Sequence, residues 1–401
     1  MRALIAASGS YGDIYPFIAV GRELKRRGHD VRLFASSHFA PLIERSGLTA
    51  IGIGPKDAYE AIIHHPDAFH PKKGFRLIAR TNLEYLPESY RRMDEQILPG
   101  ETIAIGSTLA YATRLLQETR GLPTATVHLA PSMFRSAYAP PRFEERGILE
   151  KLPPFANRAL FYVMDRLVVD PVFCSGFNRF RDELGLSAVK RMFGDWIHAA
   201  DVVIGLFPPW FAERQPDWVG NIHLTGFPLE DGSKSGEEVS AEAENFLDAA
   251  KRPVIFTAGS AATSESRFFE ESAEACRLTG IEGLFLTRYR EQIPRELPAN
   301  VRHFDYLPFS RVLPRVRALV HHGGIGTTAQ ALAAGIPQLV RPLAYDQFDN
   351  AHRLERLGVG RTLSPARYRG PAAAAALEEL TDSAAVHEAA AQWKRKLEGE
   401  D

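Results

Sequence analysis

Short apolar runs recur along the chain, each followed by a glycine-punctuated turn and then by a stretch with apolar positions every three or four residues. Arg2–Ala7 is the first such run and predicts a buried strand. Ser8–Asp13 is the turn after it. Phe17, Val20, Gly21 and Leu24 then share one helical face, with Pro16 expected in the first helical turn and Lys25, Arg26 and Arg27 ending the helix before Gly28. Val31–Ala35, Leu48–Ile53, Thr102–Gly106, Thr124–His128 and Val202–Leu206 predict further strands, the last of them closing the first series. Ala110–Arg120 and Phe155–Leu184 predict helices, the second with Phe161, Met164, Leu167, Phe177 and Phe180 on a wide apolar face.

A second series follows. Pro253–Thr257, Gly283–Thr287, Val301–Phe304, Ala318–Val320 and Ile336–Val340 read as strands, with a helix from about Glu265 to Leu278. Strands separated by helices predict parallel sheets covered on both faces. Between the two series, residues 226–238 (GFPLEDGSKSGEE) are polar and aperiodic, which predicts a linker. We therefore expect two domains, 1–231 and 232–401. In the tail, Val386, Ala389, Ala390, Trp393 and Leu397 form one face of a helix that needs a partner surface.

Composition narrows the function. At 401 residues the chain exceeds one ordinary core, and its net charge of −1 gives no basic surplus for nucleic acid. Cys174 and Cys276 are too few for a thiolate zinc site or a disulfide framework, so a reducing cytoplasm is expected. No run approaches the ~18 apolar residues of a spanning helix. The N-terminal apolar stretch is too short for a secretory signal. His64, His65 and His70 lie close together, but without helical ligand spacing and interrupted by Pro66, so no metal is expected there.

The chemistry concentrates in 318–350. After the strand come His321, His322, Gly323, Gly324, Ile325, Gly326 and Thr327, then the helix formers Ala329–Ala334, stopped by Gly335 and Pro337. A strand, a glycine-rich turn and a helix N-terminus form an anion site, with His322 at its mouth as a phosphate donor. Asp346, Gln347, Asp349 and Asn350 are expected in one loop, with groups suited to sugar hydroxyls. Phosphate beside polyol points to a nucleotide-sugar. The same glycines also match a dinucleotide fingerprint, but Asp346 lies beyond Pro342 rather than at a strand end, and the histidine pair has no role there. Ser260, at a strand end, is a second phosphate donor; Tyr306, just past another, is placed to stack on a base. Phe134 and Tyr138, in a proline-rich loop, and Phe75 and Tyr85, in 57–99, are expected to line an apolar acceptor pocket or to pack beneath loops. Asp13, in the first strand–helix loop, is the candidate base; it would otherwise serve to cap the helix.

His322-Gly-Gly324-Ile-Gly326-Thr327, Gly335-Ile-Pro337, Pro342, Asp346-Gln347 and Tyr306-Leu-Pro308 together resemble the donor signature of the inverting family 1 glycosyltransferases. Gly9-Ser10-Tyr-Gly12-Asp13-Ile-Tyr-Pro16 is similar to the Gly-Asp-x-x-Pro loop of bacterial and sterol members. Leu206–Phe211, Leu224–Leu229 and Phe348–Asn350 resemble the rhamnosyltransferases of rhamnolipid synthesis and bacterial flavonoid and natural-product members. The resemblance implies two Rossmann-like, doubly wound α/β domains facing across a cleft, the GT-B fold, with the last helix crossing back onto the first domain. It implies Asp13 as base, His322 on the α-phosphate, Gln330 at the ribose in place of the usual Glu, and Asp346 and Gln347 on the sugar. Gly326 and Thr327 replace Asn-Ser, and Phe309 replaces a Gln, as in bacterial members. The donor expected is dTDP-L-rhamnose or UDP-glucose. No cofactor and, without an Asp-x-Asp motif, no metal are expected. The alternatives are an epimerase of the same fold and a non-catalytic nucleotide-sugar-binding subunit.

Overall fold

The computed structural model describes residues 1–401 except 71–72, 219, 233–238, 251 and 401. Two compact units divide it: 1–142 with 146–228, and 143–145 with 229–401. Of the expected linker, 233–238 lie outside the described residues. Ahead of them, Asp231 is held by the second unit: Tyr306 Oη donates to its carbonyl and Ser310 N–H to its carboxylate.

The first unit is built on a parallel sheet of β1 (Arg2–Ala6), β2 (Asp30–Ser36), β3 (Thr49–Ile53), β4 (Thr102–Ser107), β5 (Thr124–His128), β6 (Val202–Gly205) and β7 (Ile222–Leu224), in the order β3-β2-β1-β4-β5-β6-β7. One strand more than expected is present. β7 is a three-residue edge strand with only Ile222 buried, too short to show as an apolar run.

Helix Tyr11–Arg26 starts well before Pro16, which lies inside it rather than in its first turn. The reason is local. Ser10 and Asp13 form a reciprocal capping box that nucleates the helix at Tyr11. The predicted helix 155–184 appears as Pro154–Met164 and Asp170–Glu183 joined by a π-turn, Asp165–Val169. The wider turn alters the facing. Asp165 and Val169 point inward with Phe161, Phe173 and Phe177, while Leu167, expected on the apolar face, is 68% exposed.

The second unit carries β8 (Val254–Thr257), β9 (Gly283–Leu286), β10 (Val301–Phe304), β11 (Ala318–His321), β12 (Gln338–Val340) and β13 (Gly360–Thr362), all parallel, in the order β10-β9-β8-β11-β12-β13. Val254, Ile255, Phe256, Leu319, Val320 and Leu339 are fully buried, as helices on both faces of a parallel sheet require. The tail helix Ala384–Glu398 finds a partner inside this unit. Trp393 Nε1 donates to Leu357 O at 2.9 Å, and Lys394 lies over Gly335.

In a doubly wound sheet, ligands bind beyond the carboxyl ends of the strands where the strand order reverses. That point falls between β1 and β4 in the first unit and between β8 and β11 in the second.

Candidate active site

In the second unit, both loops at the reversal converge on one ring. His322 follows β11, and Gly259 follows β8 with φ of 94°. A Cβ on Gly259 would lie 2.6 Å from His322 Cε1, and one on Gly324 would lie 2.5 Å from Nε2. Glycine is required at 259 for both its backbone angle and the ring's approach. Burial holds the His322 imidazole down at about 4, so it is neutral near pH 7 and acts as a hydrogen-bond donor rather than a charge. Its Nδ1 is buried and has no hydrogen-bond partner among the described residues.

His321, one residue earlier, is wholly buried and structural. Its Nδ1 accepts from Gly323 N–H at 3.1 Å, and its Nε2 pairs with Gln338 Oε1 at 3.0 Å. Burial, then the neighbouring His322, lower its pKa to about 3.

Helix Ile325–Ala334 begins at once, its N-cap Gly324 offering no side chain. Its first N–H groups, at Ile325, Gly326 and Thr327, have no intrahelical acceptor, and the space beside Gly326 is open to 4 Å. Further along the same helix, Thr328 Oγ1 and Gln330 Nε2 are buried without partners among the described residues. Orphaned polar atoms are uncommon in folded proteins. Here three of them, counting His322 Nδ1, belong to a single strand-turn-helix. Ser260 is exposed at the end of β8, and its carbonyl accepts from Tyr289 Oη at 3.4 Å. Tyr306 is partly exposed, with the Arg288 guanidinium 6.0 Å from its ring centroid.

The polar cluster after β12 is not a loop, as expected, but the start of helix Gln347–Arg356, with Asp346 at its N-cap. Asp346 Oδ2 accepts from Asn350 Nδ2, which also donates to Gly323 O at 2.9 Å and so ties the cluster to the glycine turn. Gln347 Oε1 accepts from Leu343 and Ala344 N–H and folds the preceding loop. Asp349 is buried and paired with Arg353. Tyr345, not singled out in the sequence, has φ of 59°. A non-glycine residue held there is strained, and such strain gathers at functional sites. Nothing in the sequence signals it.

In the first unit, Asp13 is the third residue of its helix. Its Oδ2 accepts from Ser10 N at 2.6 Å and Ser10 Oγ at 3.0 Å, leaving Oδ1 without a partner among the described residues. Burial raises its pKa; the Ser10 bonds oppose that more weakly. The carboxylate therefore caps the helix through one oxygen and is a stronger base than an ordinary aspartate. Gly9, with φ of 137°, leaves room for it.

The four aromatics expected at the acceptor do not gather. Phe134 is buried against His128, His198, Phe207 and Trp218. Phe75 packs edge-on against Phe173 in the core. Tyr85 lies over Gly54. Tyr138 is 49% exposed, with Arg158 over its ring. Periodicity cannot separate a core aromatic from a pocket one, because both follow strand ends. Among the described residues no cluster of His, Cys, Asp or Glu is arranged for a metal, and no helix is long and apolar enough to cross a membrane.

Residues 3–139 match the glycosyltransferase family 28 N-terminal domain, and 284–399 match the erythromycin biosynthesis protein CIII-like C-terminal domain. The O-mycaminosyltylonolide 6-deoxyallosyltransferase of Streptomyces fradiae is 29% identical over 410 residues, covering 96% of this chain and 91% of that one. The spinosyn rhamnosyltransferase SpnG superposes with a TM-score of 0.70 at 20% identity, covering 100% of this chain and 97% of that one. The glycosyltransferase VinC, solved in complex with dTDP, gives 0.70 at 18%, covering 100% and 96%. With two doubly wound parallel-sheet domains, the first matching a glycosyltransferase domain and the second an erythromycin biosynthesis protein CIII-like domain, this chain is a glycosyltransferase of the GT-B fold, similar to macrolide and natural-product glycosyltransferases.

Proposed function

We propose that the protein transfers a hexose, L-rhamnose from dTDP-rhamnose before glucose from UDP-glucose, to a hydroxyl of an apolar natural-product acceptor, with inversion at the anomeric carbon. One observation carries the donor half. An unpartnered, neutral His322 and an open helix N-terminus sit together at the reversal point of the second sheet. The sugar and nucleotide rest on the relatives, which are named for deoxyallose and rhamnose transfer or were solved with dTDP. Macrolide, phenolic and hydroxy-lipid acceptors all have the required chemistry.

In the proposed reaction Asp13 Oδ1 takes the acceptor proton as the oxygen attacks the anomeric carbon from the face opposite the diphosphate. The bond to the diphosphate breaks, and dTDP leaves. His322, Ser260 and the N–H groups of 325–327 stabilise its charge by hydrogen bonding. Gln330 serves the ribose, Tyr306 the base, and Asp346 with the free amide of Gln347 the sugar. Tyr138, the one strongly exposed aromatic of the four, keeps its acceptor assignment.

Incubation with dTDP-rhamnose, UDP-glucose and a panel of hydroxylated acceptors, followed by mass spectrometry, tests this. A rhamnoside with inverted configuration is expected. Donor hydrolysis or epimerisation without a glycoside would contradict it.

A further inference from the structure

Six large apolar side chains stay exposed within one short stretch of the first unit: Leu152, Phe155, Tyr162, Val163, Leu167 and Val168. Scattered singly, such residues need no explanation; gathered on one face, they mark an interaction site. Helix Pro154–Met164 and the π-turn Asp165–Val169 gather them. Asn157, Phe161, Asp165 and Val169, four residues apart, face the core. Phe155, Ala159, Val163 and Leu167 form the opposite row, with Phe155 75% exposed. The π-turn completes that row. Asp165, buried against Arg135 at 2.7 Å, holds its inner side, and Leu167 and Val168 are turned outward.

Beside the apolar row runs a second one, Arg158, Tyr162 and Arg166, again four residues apart and all exposed. Between 152 and 172 the only carboxylates are Asp165 and Asp170, and both are used internally. Asp165 pairs with Arg135, and Asp170 accepts from Arg191 N–H at 2.8 Å. Every exposed charge of this stretch is therefore a cation. Helix Lys73–Glu84 packs alongside, with Phe75 against Phe173, and exposes Lys73, Arg76 and Arg80, with Glu84 at its far end. Lys73 pairs with Asp67, whereas Arg76, Arg80 and Arg166 have no ion-pair partner among the described residues.

We infer that this ridge docks the protein on the surface of an anionic lipid bilayer, with Phe155, Val163 and Leu167 at the acyl boundary and Arg158, Tyr162 and Arg166 among the headgroups. An apolar row flanked by cations and an aromatic ring is what an interfacial helix requires. Arginine stems cover apolar surface while their heads stay with the phosphates. The ridge is already folded, so docking orders no chain. A second copy fits less well: with only cations exposed on the face, a two-fold contact brings no opposite charge to meet them. The docking does not depend on which sugar or acceptor is transferred.

The test is co-sedimentation of the full chain with vesicles of phosphatidylcholine alone and of phosphatidylcholine with about 30% phosphatidylglycerol, at low and high salt. Wild type is expected to bind the anionic vesicles, to bind the neutral ones about tenfold more weakly, and to lose binding as salt rises. The double variant Val163→Glu, Leu167→Glu puts charge into the apolar row and should abolish binding. Arg166→Glu should weaken it about tenfold. All these positions are exposed, so both variants should keep the wild-type melting temperature and the wild-type response to dTDP. Wild type left in the supernatant with anionic vesicles, equal binding to both vesicle types at every salt concentration, or undiminished binding by the double variant overturns the inference. A solution dimer that the double variant dissociates, with no vesicle binding, would give the face to a second copy instead. Vesicle binding by a protein that glycosylates no acceptor would leave the docking standing and remove the transfer reading.

Discussion

At the scale of single residues, two side chains carry the account, and each has a structural duty to be separated from its chemical one. Asp13 caps a helix through Oδ2, and in the proposed reaction Oδ1 takes the acceptor proton. Asn in its place keeps an oxygen for Ser10 but cannot take a proton. Asp13→Asn should therefore lower kcat by about 100-fold or more, with the melting temperature nearly unchanged. A variant with a lowered melting temperature but unchanged kcat would mean the cap is the whole role. Because burial raises the Asp13 pKa, the acid limb of kcat/KM should lie above the usual 3.8 of an aspartate, activity falling as Asp13 protonates. Much of this was legible in the sequence, since an acid three residues after Ser10 marks a cap and its loop marks a site. His322 was picked out by its place at the mouth of the glycine turn, and the resemblance pointed to the same residue, but neither gives the physical difference between the two neighbouring histidines. His321 and His322 are adjacent and chemically identical; it is the sheet that buries the first against Gln338 and leaves the second unpartnered.

At the scale of elements, the proposed donor site depends on two loops held in conformations only glycine adopts easily. Gly259→Ala adds a Cβ at positive φ and against the His322 ring. It should cost at least about 1 kcal/mol of stability and weaken dTDP binding, measured by denaturant titration and calorimetry. Undiminished dTDP affinity in that variant would contradict the packing of the two loops. Strands β8 to β12 and their helices were readable from apolar runs. Helix Gln347–Arg356 was not, because its buried face includes Gln347, Asp349 and Asn350, which read as loop in sequence and become core only through the Arg353 pair and the tie to Gly323. The π-turn at 165–169 was hidden for a related reason. A wide turn leaves no composition signal but turns Leu167 outward.

At the scale of the whole molecule, the two-sheet organisation follows from the repeated pattern of apolar run, turn and amphipathic stretch, and only the three-residue edge strands β7 and β13 escaped it. Four buried or partly buried histidines (128, 198, 321 and 322) are all held neutral, His198 and His322 near 4 and His321 near 3. Below pH ~6.5 the unfolded chain binds protons at these sites that the folded chain refuses, so stability rises with pH across about 4 to 6.5 and levels off above. Each contributes a slope of up to about 1.4 kcal/mol per pH unit in that window. The melting temperature should fall steeply between pH 6.5 and 4.5; a flat profile there would contradict their burial. The central claim is that the second domain grips a nucleoside diphosphate through His322 and the helix behind it. The most direct measurement is the melting temperature of wild type and His322→Ala with saturating dTDP, against UDP. The account predicts a clear rise in wild type, larger for dTDP than for UDP, and a much smaller one in His322→Ala. No rise with either nucleotide, or an undiminished rise without the imidazole, would contradict it.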